Sequence, residues 1–166
     1  SLALGAANVS LLEMTNAFGV FAAQGYRAEP ILITRIVDKD GNILEEVEPS
    51  AIEVISPQTS YLITSLMQSV IQEGTGQRAK ALGRPAAGKT GTTNDTRDAW
   101  FLGFIPQQLV AGAWMGYDIE KPLGTHETGA VAALPIWLEF MKEVVDGKVV
   151  ENFSVPEGIV FTKTDA

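Results

Sequence analysis

Hydrophobic residues recur at helical spacing after the first ten positions of the chain. Ser10 and Glu13 form a capping box, in which each side chain bonds to the backbone at the start of a helix. Apolar positions then follow every three or four residues until Gly25, a common type of helix stop. This pattern predicts a helix over residues 10–24 with one face buried in a core.

Two later segments show the same spacing. Ser56 followed by a proline is typical of a helix start, because serine caps the first turn and proline needs no hydrogen bond there. We expect this second helix over residues 57–72. A third helical pattern has Pro135 in its first turn and ends at Gly147. The chain therefore contains three predicted helices.

Between the first two helices the pattern changes to that of a β-hairpin. The runs 31–37 and 43–47 are rich in β-branched and aliphatic residues, and they flank a polar turn that contains Gly41. Glycine favours the positive φ angles of a tight hairpin turn. We expect an antiparallel hairpin at the periphery of the molecule.

Three further extended segments precede the last helix. They cover residues 86–93, 99–105 and 109–117. The connection 106–108 is far too short for the crossover that parallel strands need, so the second and third of these strands must pair antiparallel. The sequence thus predicts an α+β fold, with an antiparallel sheet flanked by helices.

Length and composition fit one domain. The chain has 166 residues, of which 46% are hydrophobic, and this is enough to bury a core. We assign residues 1–147 to the folded part and residues 148–166 to an extended C-terminal tail. The longest apolar runs are about half of what a bilayer crossing needs, so we expect no membrane segment in this chain.

Charge and residue types exclude several functions. The net charge of −8 argues against nucleic acid as the main partner. The chain has no cysteine, which excludes a disulfide framework and a cysteine metal site. The acidic residues form no convincing metal or glycosidase pair, and we predict no metal and no cofactor. The only histidine, His126, lies in a polar stretch and is assigned to a loop.

One segment matches a nucleotide-binding motif by its spelling. Residues 83–90, GRPAAGKT, satisfy the pattern GxxxxGK[ST] of a phosphate-binding loop. Such a loop must lead into a helix whose N-terminus faces the phosphate, yet residues 91–96 have poor helix propensity. Pro85 also removes a backbone donor from the cradle. A P-loop nucleotide binder is therefore only a remote alternative.

The same segment contains the KTG triplet Lys89, Thr90 and Gly91, a motif of β-lactamases and penicillin-binding proteins. The surrounding segments include KTGTTNDTRDAWFLGFIP, GAWMGYD, EGTG, SLALGAANVSLLEMTNAFGVFAAQG and GAVAALPIWLEFM. In order and spacing they closely resemble the transpeptidase domain of class A (bifunctional) penicillin-binding proteins. The resemblance runs from residue 1 to about 146. It implies the C-terminal half of that domain, with a fold like that of the β-lactamases.

The resemblance gives roles to the strand that carries the triplet. Strand periodicity places Lys89 and Gly91 on one face and Thr90 and Thr92 on the other. By resemblance, Thr90 and Thr92 hold the terminal carboxylate of the substrate or of a β-lactam, and Lys89 supplies positive potential. The backbone amide of Thr92 is one of two oxyanion-hole donors. The predicted substrate-binding residues are therefore Thr90, Gly91, Thr92 and Thr93. The predicted catalytic residues are Lys89 and Thr92.

The chain also lacks parts that this chemistry needs. It contains no serine followed three positions later by lysine, and no Ser-x-Asn element. The resemblance therefore places the nucleophilic serine in an upstream half of the same domain, and this chain alone should be inactive. It further implies a parent protein that cross-links peptidoglycan stem peptides ending in D-Ala-D-Ala, binds β-lactams, and lies at the extracytoplasmic face of a bacterial cytoplasmic membrane. A glycosyltransferase domain and a membrane helix in the parent are implied by the family alone.

Two other interpretations use the same residues. A non-catalytic homologue could bind β-lactams or peptidoglycan as a sensor and share the KTG strand. An ordinary exposed edge strand would also carry lysine and threonine without any chemistry. The large aromatic side chains are expected in the core rather than in ligand contacts, namely Trp100, Phe101, Trp114 and Trp137.

Overall fold

The computed structural model describes residues 7–107 and 109–162. Its three α-helices are α1 (Leu11–Ala22), α2 (Pro57–Gln72) and α3 (Leu134–Val145). They confirm the three predicted helices. The capping box of α1 is also present, because the Glu13 amide donates to Ser10 Oγ at 3.2 Å and the Ser10 amide donates to Glu13 Oε2 at 2.8 Å. The ends of the predicted folded part and tail, residues 1–6 and 163–166, lie outside the described residues.

The strands of the described residues form three antiparallel sheets. The strands are β1 (Tyr26–Ala28), β2 (Arg35–Val37), β3 (Ile43–Glu46), β4 (Ala51–Glu53), β5 (Ala87–Thr92), β6 (Ala99–Ile105) and β7 (Leu109–Met115). The predicted hairpin is confirmed as β2 and β3, and the β5–β6–β7 sheet confirms the antiparallel pairing of the last two strands. The β1–β4 pair was not predicted. Each of its strands has only three residues, all exposed, so no alternation marks them in the sequence.

The β5–β6–β7 sheet carries the core on both of its faces. On one face Phe101 packs against Trp137 of α3, with ring centroids 5.0 Å apart. The Trp137 indole also donates to the carbonyl of Gly103 at 3.2 Å. On the other face Phe104 lies in a cluster with Met67 of α2 and apolar side chains of α1. The structure is therefore the predicted α+β arrangement of a sheet between helices.

The expectation that large aromatic residues are buried is only partly met. Phe101 and Trp137 are buried. The expectation is wrong for Trp114, which is 38% exposed and whose indole N–H bonds to Asp98. Trp114 is the residue of β7 paired with Trp100, close to the open end of the sheet, where no helix covers it fully.

A five-residue π-helical turn precedes α3 and was not predicted. It spans Gly129–Ala133 and brings Gly129, Ala132 and Ala133 into buried positions. π-Helical turns are rare in proteins, and those that occur are often found at functional sites. This turn packs against β5 and β6, so it lies beside the strand that carries the KTG triplet.

The described part of the tail, residues 148–162, has no helix or strand. It nevertheless packs on the folded part. Gln58 of α2 donates its side-chain amide to the Glu157 carbonyl at 2.9 Å, and the Phe153 ring meets the Phe104 ring at 5.7 Å. In the described residues, no helix is both long and apolar enough to cross a membrane.

Candidate active site

β5 is the outer strand of its sheet in the described part of the chain. It pairs with β6, and α2 packs against it. Ala87 and Gly88 are buried, whereas Lys89 and Thr92 are exposed and Thr90 is half-buried. The second half of β5 is therefore open to an incoming ligand, while its first half is anchored in the core.

The register of the sheet fixes the direction of the side chains on β5. Lys89 pairs with Leu102, and a methyl group built on Gly112 shows that Leu102 lies near α1. Thr90 pairs with Phe101, which packs on α3. Paired residues of antiparallel strands point to the same face. The strand thus presents Lys89 towards the side of α1, and Thr90 towards the side of α3.

The Lys89 ammonium is held at the strand. Its Nζ donates to the Thr90 carbonyl oxygen at 2.8 Å, and the side chain remains exposed. A lysine ammonium has three N–H donors, so this bond leaves two for an anion. Lys89 is thus a fixed positive charge beside the accessible half of β5.

The threonine hydroxyls along β5 have different partners. The Thr90 hydroxyl lies 2.7 Å from the hydroxyl of Thr75, and either can donate. Thr92 Oγ1 accepts from the Gly129 amide at 3.0 Å, which leaves the Thr92 hydroxyl proton available to a ligand. These two side chains are the ones that can present O–H donors to a carboxylate.

The Thr93 hydroxyl is instead used within the β5–β6 connection. It accepts from the Asp98 amide at 2.8 Å and donates to Asp98 Oδ2 at 3.3 Å. The Thr93 amide in turn donates to the Asp98 carbonyl at 3.1 Å. Asp98 Oδ1 accepts from the Trp114 indole at 2.9 Å. In this geometry Thr93 closes the turn after β5, and its hydroxyl has no proton left for a substrate.

At Gly129 the backbone of the π-helical turn lies very close to the backbones of β5 and β6. A methyl group built on Gly129 would lie well under 3.0 Å from the carbonyl oxygens of Gly91 and Trp100, and 3.1 Å from the Gly91 nitrogen. The nearest atoms to a methyl group on Gly91 would instead belong to the Trp100 side chain, with its Cβ at 3.0 Å. The close backbone contact beside the triplet therefore depends on Gly129.

The connection after β5 is held by an ion-pair cluster. Asp95 and Thr96 have positive φ angles of 58° and 51°, which are costly for residues other than glycine. Arg97 pairs with Glu120 at 3.0 Å and with Asp95 at 3.3 Å. The hydrogen bond and charge of Glu120 raise the pKa of the Arg97 guanidinium above its ordinary value. Thr96 Oγ1 also donates to the carbonyl of Gly124, at 2.7 Å.

The segment GRPAAGKT has no phosphate-loop geometry. Its last four residues lie within β5, and β5 is antiparallel to β6. The residues that follow form a short 3₁₀ turn, Asn94–Thr96, in place of the helix that would face a phosphate. The nucleotide alternative therefore has no support in the fold. In residues 7–107 and 109–162, no group of three or more His, Cys, Asp or Glu side chains could hold a metal ion.

Sequence reasoning identified the residues of β5 but missed the residues that hold the strand. Thr75 and Gly129 bond to it from two other segments, and Asp98 bonds to Thr93 directly after it. Thr75 belongs to the EGTG segment and Gly129 opens GAVAALP, so both were available as motifs. Their contacts with β5 depend on the tertiary fold. No rule of sequence spacing predicts that residue 75 lies beside residue 90, or residue 129 beside residue 92.

Comparison with known proteins places this geometry in a family. The family model described as "Penicillin binding protein transpeptidase domain" matches residues 1–134. Penicillin-binding protein 1A of Aquifex aeolicus is 45% identical over 161 residues, covering 96% of this chain and 22% of that protein. Penicillin-binding protein 1A of Neisseria gonorrhoeae is 39% identical over 166 residues, covering 96% of this chain and 21% of that protein.

Solved structures give the same result. The crystal structure of penicillin-binding protein 1A from Haemophilus influenzae superposes with a TM-score of 0.90 at 31% identity, covering 96% of this chain and 30% of that one. The structure of PonA1 from Mycobacterium tuberculosis superposes with a TM-score of 0.75 at 21% identity, covering 94% of this chain and 46% of that one, and supports the fold alone. The chain spans about a fifth of the length of the curated relatives it matches.

Proposed function

Because the chain belongs to the penicillin-binding protein transpeptidase family, as part of the transpeptidase domain of a class A member, we propose that it supplies one wall of a D,D-transpeptidase active site. The observation that carries the proposal is the second half of β5. There Lys89 is exposed and bonded to the strand, and the Thr92 hydroxyl keeps its proton free. A fixed cation beside hydroxyl donors is suited to a carboxylate.

The substrate carboxylate bonds to the hydroxyls of Thr90 and Thr92. This is the terminal carboxylate of a peptidoglycan stem peptide, or the carboxylate of a β-lactam. Lys89 contributes positive potential, and Gly91 leaves room for the acyl chain to lie along the strand as an added β-strand. The backbone amide of Thr92 donates to the developing oxyanion, an interaction that is commonly worth about 3 kcal/mol in the transition state. Thr93 shapes the end of this wall through Asp98.

The bond-making groups come from the upstream half of the domain. A serine hydroxyl there attacks the carbonyl carbon of the penultimate D-Ala, and the terminal D-Ala leaves as its amine takes up a proton. An amine of a neighbouring stem peptide then attacks the acyl-serine, forms the cross-link and returns the proton to the serine. β-Lactams stop at the acyl-serine. The isolated chain has no such serine motif and is inactive in this scheme.

Exposed apolar side chains support an upstream partner for this chain. Leu62 and Leu66 of α2 are 55% and 65% exposed and lie one turn apart on the face opposite the buried Thr64 and Met67. Leu12 of α1 is 59% exposed. Exposed apolar side chains on α1 and α2 are suited to contact with the upstream half of the same domain. The parent works at the extracytoplasmic face of the bacterial cytoplasmic membrane, where peptidoglycan is cross-linked.

Fluorescent penicillin tests the proposal. We expect covalent labelling when this chain is present together with the upstream half of the domain, and none with this chain alone. When this chain carries Thr92→Val and is combined with the upstream half, it should be acylated by penicillin more slowly than the wild-type combination. A folded combination that takes no label would identify a non-catalytic homologue. Stable labelling of the isolated 166 residues would place a nucleophile within this chain and contradict the scheme.

A further inference from the structure

Thr75 reaches the KTG strand from the end of α2. Its Oγ1 lies 2.7 Å from Thr90 Oγ1, and Thr75 itself is exposed. No other side-chain hydrogen bond in the described residues joins the turn after α2 to β5. Thr75 therefore stands beside the accessible half of β5 without being part of it.

The two glycines around Thr75 explain how it gets there. The amide of Gly74 donates to the Ser69 carbonyl at 3.0 Å, and the amide of Gly76 donates to the Val70 carbonyl at 2.9 Å. A methyl group built on Gly74 would lie 2.8 Å from Val70 Cα, and one on Gly76 would lie 3.2 Å from the Val70 oxygen. A side chain on Gly74 would collide with the last turn of α2, and one on Gly76 would fit only tightly, so both glycines let the chain fold back closely on the helix. The turn fixes the backbone of Thr75 and aims its side chain at Thr90.

We propose that Thr75 is a positioning residue for the substrate carboxylate: its hydroxyl donates to Thr90 Oγ1, so that the Thr90 hydroxyl proton points to the carboxylate. This inference rests on the proposed function. A hydroxyl that accepts one hydrogen bond becomes a stronger donor of another. Without Thr75 the Thr90 hydroxyl can rotate, and its lone pairs rather than its proton can face the anion.

Thr75 lies outside the part of α2 that packs in the core, so its proposed role can be tested without disturbing helix packing. The buried face of α2 consists of Ser60, Thr64, Met67 and Ile71, and Thr75 lies beyond the end of the helix. Removing the Thr75 hydroxyl therefore takes nothing from the core. The expected effect is on the orientation of one donor, and it should depend on the presence of both Thr90 and an anionic ligand.

The test uses the full-length parent protein and the second-order rate constant of acylation by benzylpenicillin and by its methyl ester. For Thr75→Val we expect a loss of about 5- to 10-fold with the free acid and less than about twofold with the ester, as removal of one oriented hydrogen bond predicts. Thr75→Ser, which keeps the hydroxyl, should recover the wild-type ratio of acid to ester. Thr34→Val is the matched control, since Thr34 is exposed in the segment before β2 and has no side-chain hydrogen bond within the described residues.

A double-mutant cycle decides whether Thr75 acts through Thr90. In the Thr90→Val background, Thr75→Val should change acylation by the free acid by less than about twofold, because residues that act as one unit are not additive. An equal loss with acid and ester would overturn the inference and assign Thr75 to packing. If Thr75→Val lowers acylation by the free acid as much in the Thr90→Val background as in the wild type, the inference is overturned as well. If the wild-type parent is not acylated by either compound, the proposed function fails, and this inference fails with it.

Discussion

Gly129 is the position at which one methyl group should damage the site most. Gly129→Ala places a carbon well under 3.0 Å from the carbonyl oxygens of Gly91 and Trp100, which are cross-strand partners in β5 and β6. Neither oxygen can retreat without shifting the sheet. Overpacking of this kind costs typically 1–3 kcal/mol. Moving the Gly129 amide away from Thr92 removes a hydrogen bond worth about 1 kcal/mol more.

The same substitution should slow acylation even in the protein that remains folded. Thr92 is both the proposed carboxylate donor and the proposed oxyanion donor, and a misplacement of about 1 Å can cost about 100-fold in rate. We expect Gly129→Ala to destabilise the complete transpeptidase domain by about 3 kcal/mol in urea denaturation. We expect the acylation rate constant of the folded protein to fall by one to two orders of magnitude.

Gly19→Ala is the matched control. A methyl group on Gly19 meets only Val110 Cγ1 at 3.9 Å and Asn16 Oδ1 at 4.0 Å, which is ordinary contact. Because Gly19 lies inside α1, alanine there should stabilise the domain by about 0.5–1 kcal/mol and leave acylation unchanged. The reasoning is refuted if Gly129→Ala keeps wild-type stability, or if it loses stability while the folded fraction acylates at the wild-type rate.

Three further predictions concern the framework of the site, each measured by denaturation of the complete domain. Trp114→Phe removes the indole donor to Asp98 and should cost about 1 kcal/mol, whereas Trp114→Phe in an Asp98→Ala background should cost clearly less. Ser56→Ala removes the N-cap of α2 and should cost about 1 kcal/mol; no change would show that the cap does not support the helix. Hydrogen bonds from Ser10 hold the pKa of Glu13 below its usual 4.5, so its contribution is present above that pH and is lost as pH falls through the lower folded-state value. Glu13→Gln should therefore flatten the acid side of the stability profile, and an unaltered profile would contradict the capping role.

Periodicity and turn chemistry predicted the elements that carry the fold. The α2 prediction, 57–72, matches Pro57–Gln72, because a serine cap, a proline and a glycine stop all mark its ends. The β6–β7 pairing followed from a connection too short for anything but antiparallel strands. The π-helical turn at Gly129–Ala133 could not be predicted in this way. Its small residues have no periodic pattern, and its conformation is set by the close contact with β5.

The sequence provided candidate residues for the site but no information on their hydrogen bonding. Strand alternation correctly separated Lys89 from Thr90. It places the adjacent Thr92 and Thr93 on opposite faces, but it gave no basis for knowing which of the two hydroxyls keeps a proton for a ligand. Their difference comes from partners remote in the sequence or across a turn: Gly129 leaves the Thr92 proton free, while Asp98 occupies both functions of the Thr93 hydroxyl. The substrate-binding role predicted for Thr93 stays a prediction.

The three contacts that hold β5 and the turn after it have a common consequence for the proposed catalysis. Thr75 bonds to Thr90, Gly129 bonds to Thr92, and Asp98 closes the turn after the strand. Electrostatic stabilisation of a transition state is greatest when the donors are already oriented before the substrate arrives, because no energy is then spent on reorganising them. An outer strand paired on one side has little rigidity of its own, so these contacts must supply it. Residues placed behind the proposed carboxylate donors should therefore control how well this wall of the site works, and their substitution should lower the second-order rate constant of acylation by penicillin.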